Sequence, residues 1–402
     1  MSILAIIVAI ILILAILQDS FESVILPRRV SRRFTLSHLF YRTTWILCSS
    51  VARKMRQGNR REVYLSYFGP LSLICLLVLW AAVLILAFAL LQWGLSPSLQ
   101  SPEKDVTFGT YLYMSGTTFV TLGFGDVVPL LGLGRFLAVG EAGMGFGFLA
   151  LIIGYAPVIY QAFSRREVGI ALLDARAGSP ASATELLRRH YRDQQVEELV
   201  HSLREWERWC AELLESHLSY PILIYYRSQH ERQSWLGALT AILDASALLL
   251  VGFEGVTVPT TRFTFAIARH AAVDLAYVYG TPPKKSKRDR LSSADFVRMR
   301  AALTEVGLQL QHEEDAEQRL SEIRRMYEPF VTSLADHLLL NLPPWIMTTK
   351  TVDDWQTSAW DHFALWSPEK LDEITHNIID RRKKTLFGSG REQTHTHGYQ
   401  DQ

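Results

Sequence analysis

The chain has 402 residues with 41 basic and 40 acidic side chains, a net charge of +1, so overall charge singles out neither nucleic acid nor an acidic partner. Its three cysteines (Cys48, Cys75 and Cys210) all fall in segments read below as cytoplasmic or membrane-spanning, so no disulfide framework is expected. What informs is the uneven spread of apolar residues.

The first apolar stretch, Ile3 to Leu17, has no basic residue before it and no small-x-small cleavage site after it. We therefore read residues 1–18 as a retained transmembrane helix rather than a signal peptide. Residues 19–64 follow as a basic linker. Arg28, Arg29, Arg32, Arg33, Arg42, Arg53, Lys54, Arg56, Arg60 and Arg61 face only Asp19, Glu22 and Glu62. Excess Lys and Arg beside membrane spans mark the cytoplasmic side, so the expected topology is N-terminus outside and C-terminus cytoplasmic. Within the linker, Leu36 to Val51 suggests an interfacial helix with Phe40, Trp45 and Leu47 toward the membrane.

Leu71 to Leu91 is free of charge and gives about 31 Å of helix, enough to span a bilayer. It forms the centre of an outer helix expected over 65–93. Phe136 to Phe163 is a third span carrying one acid, Glu141, within an inner helix expected over 133–163. Between them FGTYLYMSGTTFV, residues 108 to 120, is apolar but too short to cross, which suits a re-entrant pore helix. Residues 121–126, TLGFGD, follow. Irregular backbone at membrane depth persists only where protein buries it or it lines water. Gly123 and Gly125 can take positive φ, so successive carbonyls can point one way instead of alternating as in a strand. A dinucleotide or phosphate loop would need a strand before and a soluble helix after, and neither flank fits.

At these residues the chain resembles the potassium-channel pore family, whose filter commonly reads Thr-Val-Gly-Tyr-Gly-Asp; here it is Thr121-Leu122-Gly123-Phe124-Gly125-Asp126. The resemblance spans residues 65–163 in the order outer helix, pore helix, filter, inner helix. It implies K⁺ coordination by Thr121, Leu122, Gly123 and Phe124, a turn at Gly125, and Asp126 at the outer mouth. Tyr113 falls at an aromatic buttress position. Three residues depart from the family pattern: Val120 lacks the usual hydroxyl, Met114 replaces a second aromatic, and Phe124 lacks a phenolic donor. These departures bear on rigidity and on K⁺ over Na⁺ selectivity. One pore segment per chain implies a homotetramer, because four segments close a ring of carbonyls.

The inner helix holds five glycines. Gly145 falls where the family's hinge glycine commonly lies, and close helix packing is the plainer reading. Pro157 removes a helical hydrogen bond and should kink the helix or end it, at a plausible gate depth. Glu141 should lie at filter height, hydrogen-bonded behind the filter near Thr117 or Thr118, or else reach water at the outer end.

Residues 164–380 read as a helical cytoplasmic domain, with helices expected at 196–217, 235–253, 263–279, 293–327 and 329–341. The apolar 235–253 segment mimics a fourth span, but Asp244 at its centre argues for a buried bundle helix. His270 and Asp274 share a helix face, fitting an interior network better than a metal site. The basic loop PPKKSKRDR reads as solvated or lipid-facing. The tail 381–402, with its HTH and GSGR, reads as disordered. No Arg-every-third-residue voltage sensor, nucleophile–base pair, metal cluster or cofactor signature is visible.

The expected fold is an all-α membrane protein whose pore unit precedes a helical cytoplasmic domain. The expected function is passive K⁺ conduction across a bacterial-type plasma membrane by a homotetramer, with no enzyme activity, no cofactor beyond permeant K⁺ and no nucleic acid. Alternatives are a weakly selective cation channel and a non-conducting receptor or scaffold.

Overall fold

In the computed structural model, residues 2–347 are described except 26–35, 97, 103–104, 192–195, 231, 257, 287–288 and 312–313. The tail with HTH and GSGR lies outside the described residues, as do Arg28, Arg29, Arg32 and Arg33 of the basic run. The protein is mainly helical. Among the described residues, three helical stretches are long and apolar enough to cross a membrane: Ile3–Val24, Asn59–Leu95 and Gly132–Ala177.

Helix α1 (Ser2–Ser20) packs along α4 (Phe68–Leu95) and passes into a short π turn, Phe21–Ile25. Asp19 fixes this corner: its Oδ2 accepts from Trp80 Nε1 of α4 at 2.8 Å and from the Ser37 amide at 3.0 Å. Ser37 opens α2 (Leu36–Lys54), so one carboxylate caps a helix and ties it to two others. α3 (Asn59–Ser66) then leads directly into α4.

Trp45 of α2 corrects the expectation that it faces lipid. It is buried, with Nε1 donating to His337 O at 3.1 Å and the ring edge-on to Phe68 at 4.9 Å. The indole has a carbonyl to satisfy and an aromatic pocket to fill, and both lie inside the protein. Leu47 is exposed, as expected, and Phe40 is half-buried.

A two-residue strand pair joins the ends of the pore unit: β1 (Leu99–Gln100) is antiparallel to β2 (Val128–Pro129), Leu99 opposite Pro129. Between them lies α5 (Phe108–Phe119), opened by Thr110 Oγ1 accepting from the Thr107 amide at 3.1 Å. After β2, α6 runs unbroken from Gly132 to Ala177, well past residue 163. Pro157 therefore does not end the helix. A proline removes one amide donor, and the surrounding turns carry the helix through.

The remainder is a helical bundle of α7 (Ala183–Tyr191), α8 (Val196–Ser219), α9 (Trp235–Val251), α10 (Thr261–Val278), α11 (Ser293–Thr304), α12 (Ala316–Arg324) and α13 (Glu328–Leu338). The stretch expected to be helical over 293–327 is two helices, α11 and α12, with Gly307 at φ +87° in the break. α9 is buried on nearly every face among α6, α7, α10, α12 and α13, which explains its apolarity without a membrane. Asp244, at its centre, accepts from Arg290 Nη2 at 2.5 Å and from the Tyr327 hydroxyl at 2.6 Å. Arg290, in the basic loop, is thus a buried ion-pair partner rather than a solvated charge. His270 also departs from expectation. It is 60% exposed, 3.5 Å from Asp274, and forms a surface pair rather than an interior network.

The bundle grips α6 at Arg166, well past Pro157. This guanidinium donates to Leu223 O at 3.0 Å and Tyr226 O at 2.9 Å, and Trp209 Nε1 donates to Arg166 O at 3.1 Å.

Candidate functional site

The pore helix α5 ends at Phe119, and its last carbonyls hold the next residues. Thr118 O accepts from the Thr121 amide at 3.0 Å, and Thr117 O accepts from the amides of both Leu122, at 2.8 Å, and Gly123, at 3.2 Å. The amides entering the 121–126 segment are therefore spent on α5, leaving the segment's carbonyls unengaged by that helix.

Backbone handedness alternates through the segment. φ is +57° at Thr121, +55° at Gly123 and +79° at Gly125, while Leu122 and Phe124 keep negative φ. Alternation between left- and right-handed conformations turns successive carbonyls to one side, where strand geometry would alternate them. The glycines were legible as positive-φ positions. Thr121 was not, because a β-branched residue rarely enters that region. The strain it carries is roughly 1–3 kcal/mol and needs the three amide anchors above to persist.

At the far end, the Tyr113 hydroxyl stands beside the Asp126 carboxylate, so α5 also reaches the segment's exit. Leu122 and Phe124 turn their side chains out, 59% and 68% exposed in the single chain. Met114, at the second aromatic position, is buried beside Ala89 and Tyr111.

Glu141 of α6 is fully buried. Its partners are not Thr117 or Thr118. Ser115 Oγ of α5 contacts Oε1, and Gln92 Nε2 of α4 donates to Oε2 at 2.8 Å. Ser115 Oγ also donates to Ile85 O at 2.7 Å. Three helices of the pore unit thus meet at one carboxyl. Gln92 and Ser115 had no sequence signal beyond being polar residues in apolar helices.

Gly145 is buried where α6 crosses α5. A Cβ there would sit 1.8 Å from Phe119 O, so only glycine permits this approach. Gly140, Gly143, Gly147 and Gly154 have nothing within 4 Å of such a Cβ. Pro157 is exposed.

An ion-channel family model, described as "Ion channel", matches residues 73–160. Protein LctB of Bacillus caldotenax is 34% identical over 93 residues, covering 21% of this chain and 69% of that protein. Protein LctB of Geobacillus stearothermophilus is 32% identical over 93 residues with the same coverage. The chain belongs to the ion-channel family. A longer, weaker likeness joins it to the uncharacterized membrane protein YdjJ of Bacillus subtilis (strain 168), 22% identical over 197 residues. That likeness covers 48% of this chain and spans only 57% of YdjJ. No solved structure matches the chain. The ion-channel match covers nearly all of α4, then α5, the filter segment and the membrane half of α6, leaving the helical bundle outside it.

Proposed function

We propose that this ion channel is a potassium channel built from four copies of the chain. Four filter segments surround one axis, and the carbonyls of Thr121, Leu122, Gly123 and Phe124 replace the water shell of K⁺. Gly125 makes the turn to the outer mouth, which Asp126 lines with support from Tyr113. The observation that carries this reading is the alternating handedness of residues 121–125, anchored on the Thr117 and Thr118 carbonyls. A single copy cannot enclose an ion, and Leu122 and Phe124, exposed in one chain, are the residues neighbouring copies would cover. Conduction is passive and needs no cofactor or catalytic group. The basic residues before α4 set the orientation, with the helical bundle cytoplasmic.

Thr117, Thr118 and Glu141 act as filter support, the first two through their carbonyls and Glu141 by fixing α6 against α5. Gly145 contributes close packing at the crossing; a hinge role there, and a gate near Pro157, would require α6 to bend at those points.

Rb⁺ uptake into liposomes carrying the purified chain tests the reading. Uptake by wild type and its loss in Gly123→Ala support it, and a wild type that never passes Rb⁺ defeats it. Reversal potentials in opposed K⁺ and Na⁺ gradients test selectivity. A value near zero makes this a weakly selective cation channel, the outcome that Phe124, without a phenolic donor, leaves physically open.

A further inference from the structure

Just below the membrane helices lies a cavity of about 370 Å³, within the size range of small-ligand sites. Its walls come from α3, the cytoplasmic extension of α6, residues 180–181, 227–230 and 232–234, the start of α9 and residues 340–343. A smaller cavity of about 150 Å³ adjoins it and shares Glu62, Arg232 and Asn341.

Arg227 Nη1 and Gln233 Nε2 of the larger cavity, and Arg61 Nε of the smaller, are buried without a hydrogen-bond partner. An unmet buried donor costs about 1–3 kcal/mol, so three in one place call for an acceptor. Arg227 is 9% exposed, and its Nη1 stands 3.5 Å from Glu62 Oε2, an ion pair without a hydrogen bond. Its Nη2 donates to Leu338 O, which holds the fork in place. Burial pulls the Arg227 guanidinium down to about 10 despite Glu62, the mark of an under-compensated cation.

Two further features favour negative charge. Arg61, Arg227 and Arg232 face Glu62 and Asp174, leaving an excess of one positive charge. The N-terminus of the 17-residue helix α9 also opens here: Ser234 and Gly237 line the cavity, and while Ser234 Oγ accepts from the Gly237 amide at 2.9 Å, the positive end of the helix dipole still attracts an anion.

We infer that this cavity is a binding site for a small oxyanion, a phosphate or carboxylate group, held by Arg227, Gln233 and the start of α9, and that its occupancy tunes the pore. The coupling follows from what the walls belong to. α3 continues into the outer helix, and Ile170, Leu173 and Asp174 belong to the same unbroken helix that carries Glu141 and Gly145. An anion drawing Arg227 and α9 together therefore acts on the relative position of α4 and α6. Tyr226, next to Arg227, packs at 5.7 Å from Phe163 and against Gly69, so the cavity sits at the cytoplasmic ends of both helices. The group could reach it from the cytosol or from a lipid headgroup. This coupling rests on the channel reading; the binding itself does not.

The experiment uses the full chain. Calorimetry in detergent with inorganic phosphate, and separately with soluble dihexanoyl phosphatidic acid, reads binding without conduction. Saturable binding of either supports the site, and the one that binds names the source. Gln233→Met loses no existing hydrogen bond of that side chain and should weaken binding about 10-fold, the worth of one hydrogen bond to a charged group. Arg227→Gln should abolish binding. If neither probe binds wild type, or both variants bind as wild type does, the site is wrong. Rb⁺ flux in phosphatidylcholine liposomes should change by roughly 5-fold or more when the binding probe is added, the lower end of ordinary allosteric coupling. Flux in wild type that ignores the bound anion overturns the coupling. A chain that binds but never conducts overturns the channel reading and leaves the site intact.

Discussion

Gln92 Nε2 donates to Glu141 Oε2 at 2.8 Å, joining the outer and inner helices through two fully buried side chains while Ser115 of the pore helix contacts the other carboxyl oxygen. Polar groups at membrane depth have no water to fall back on, so each partner depends on the other two. Glu141→Ala leaves Gln92 without its acceptor and should lower stability by about 1–3 kcal/mol. Glu141→Gln keeps an oxygen for Gln92, while Ser115 still has Ile85 O, so it should retain most of that stability. Thermal melts in detergent check both. Equal melting of wild type and Glu141→Ala would remove the three-helix junction from the account.

Gly145 gives a second, steric prediction. A methyl group there would meet Phe119 O at 1.8 Å, backbone that cannot swing aside. Gly145→Ala should push α6 off α5, costing about 1–3 kcal/mol as overpacked sites do, and it should reduce Rb⁺ flux. Gly147→Ala, which meets nothing within 4 Å in the single chain, is the control. A hinge without close packing predicts the opposite: little loss of stability from Gly145→Ala and an altered open probability in single-channel records.

The contrast between those glycines and Thr121 shows what the sequence exposes. Three apolar spans and their order follow from charge-free length, and the positive φ of Gly123 and Gly125 from TLGFGD, because hydropathy and glycine act locally. Asp244 within an apolar run also pointed to a buried helix, since a lone acid in a core requires a partner. The partners themselves were hidden. Arg290 lies 46 residues from Asp244, and Trp45 lies 292 residues from the carbonyl it donates to. Gln92, Ser115 and Arg166 became legible only when tertiary packing brought helices together. The extension of α6 past Pro157 is of the same kind, because the grip on Arg166 lies in segments far along the chain.

That grip creates a pH dependence. His217 is fully buried, its Nδ1 donating to Leu213 O at 2.8 Å and its Nε2 facing Arg166 Nη1 at 3.4 Å. Burial, aided by the Arg166 charge, pushes His217 down to about 3. Unfolded, the ring titrates near pH 6.5. Between those values the unfolded chain binds the extra proton, so stability falls as pH drops through the window, by about 1.4 kcal/mol per pH unit for one proton. His190 and His337 are lowered too, in both cases chiefly by burial, and steepen the slope. His217→Gln can keep both contacts without titrating and should flatten the dependence between pH 6 and 4. Parallel slopes for wild type and variant would contradict this.

The bundle's ionic centre gives the largest expected effect. Arg290 joins Asp244 at 2.5 Å and Glu328 at 3.0 Å, and its Nη2 also donates to Pro343 O at 2.9 Å. The Trp345 ring lies 5.8 Å and 5.4 Å from the guanidinium carbons of Arg290 and Arg324, so the same centre holds the strap 340–345, whose residues 340–343 line the anion cavity. Arg290→Met leaves Asp244 buried with only the Tyr327 hydroxyl, and breaking a buried pair costs about 3–5 kcal/mol. Arg290→Met with Asp244→Leu removes both charges and should recover much of that loss, because no charge is then stranded. Chemical denaturation of the four chains of this double-mutant cycle checks it. If the double variant is no more stable than Arg290→Met, the pair is not the source of the loss, and the strap at Pro343 is.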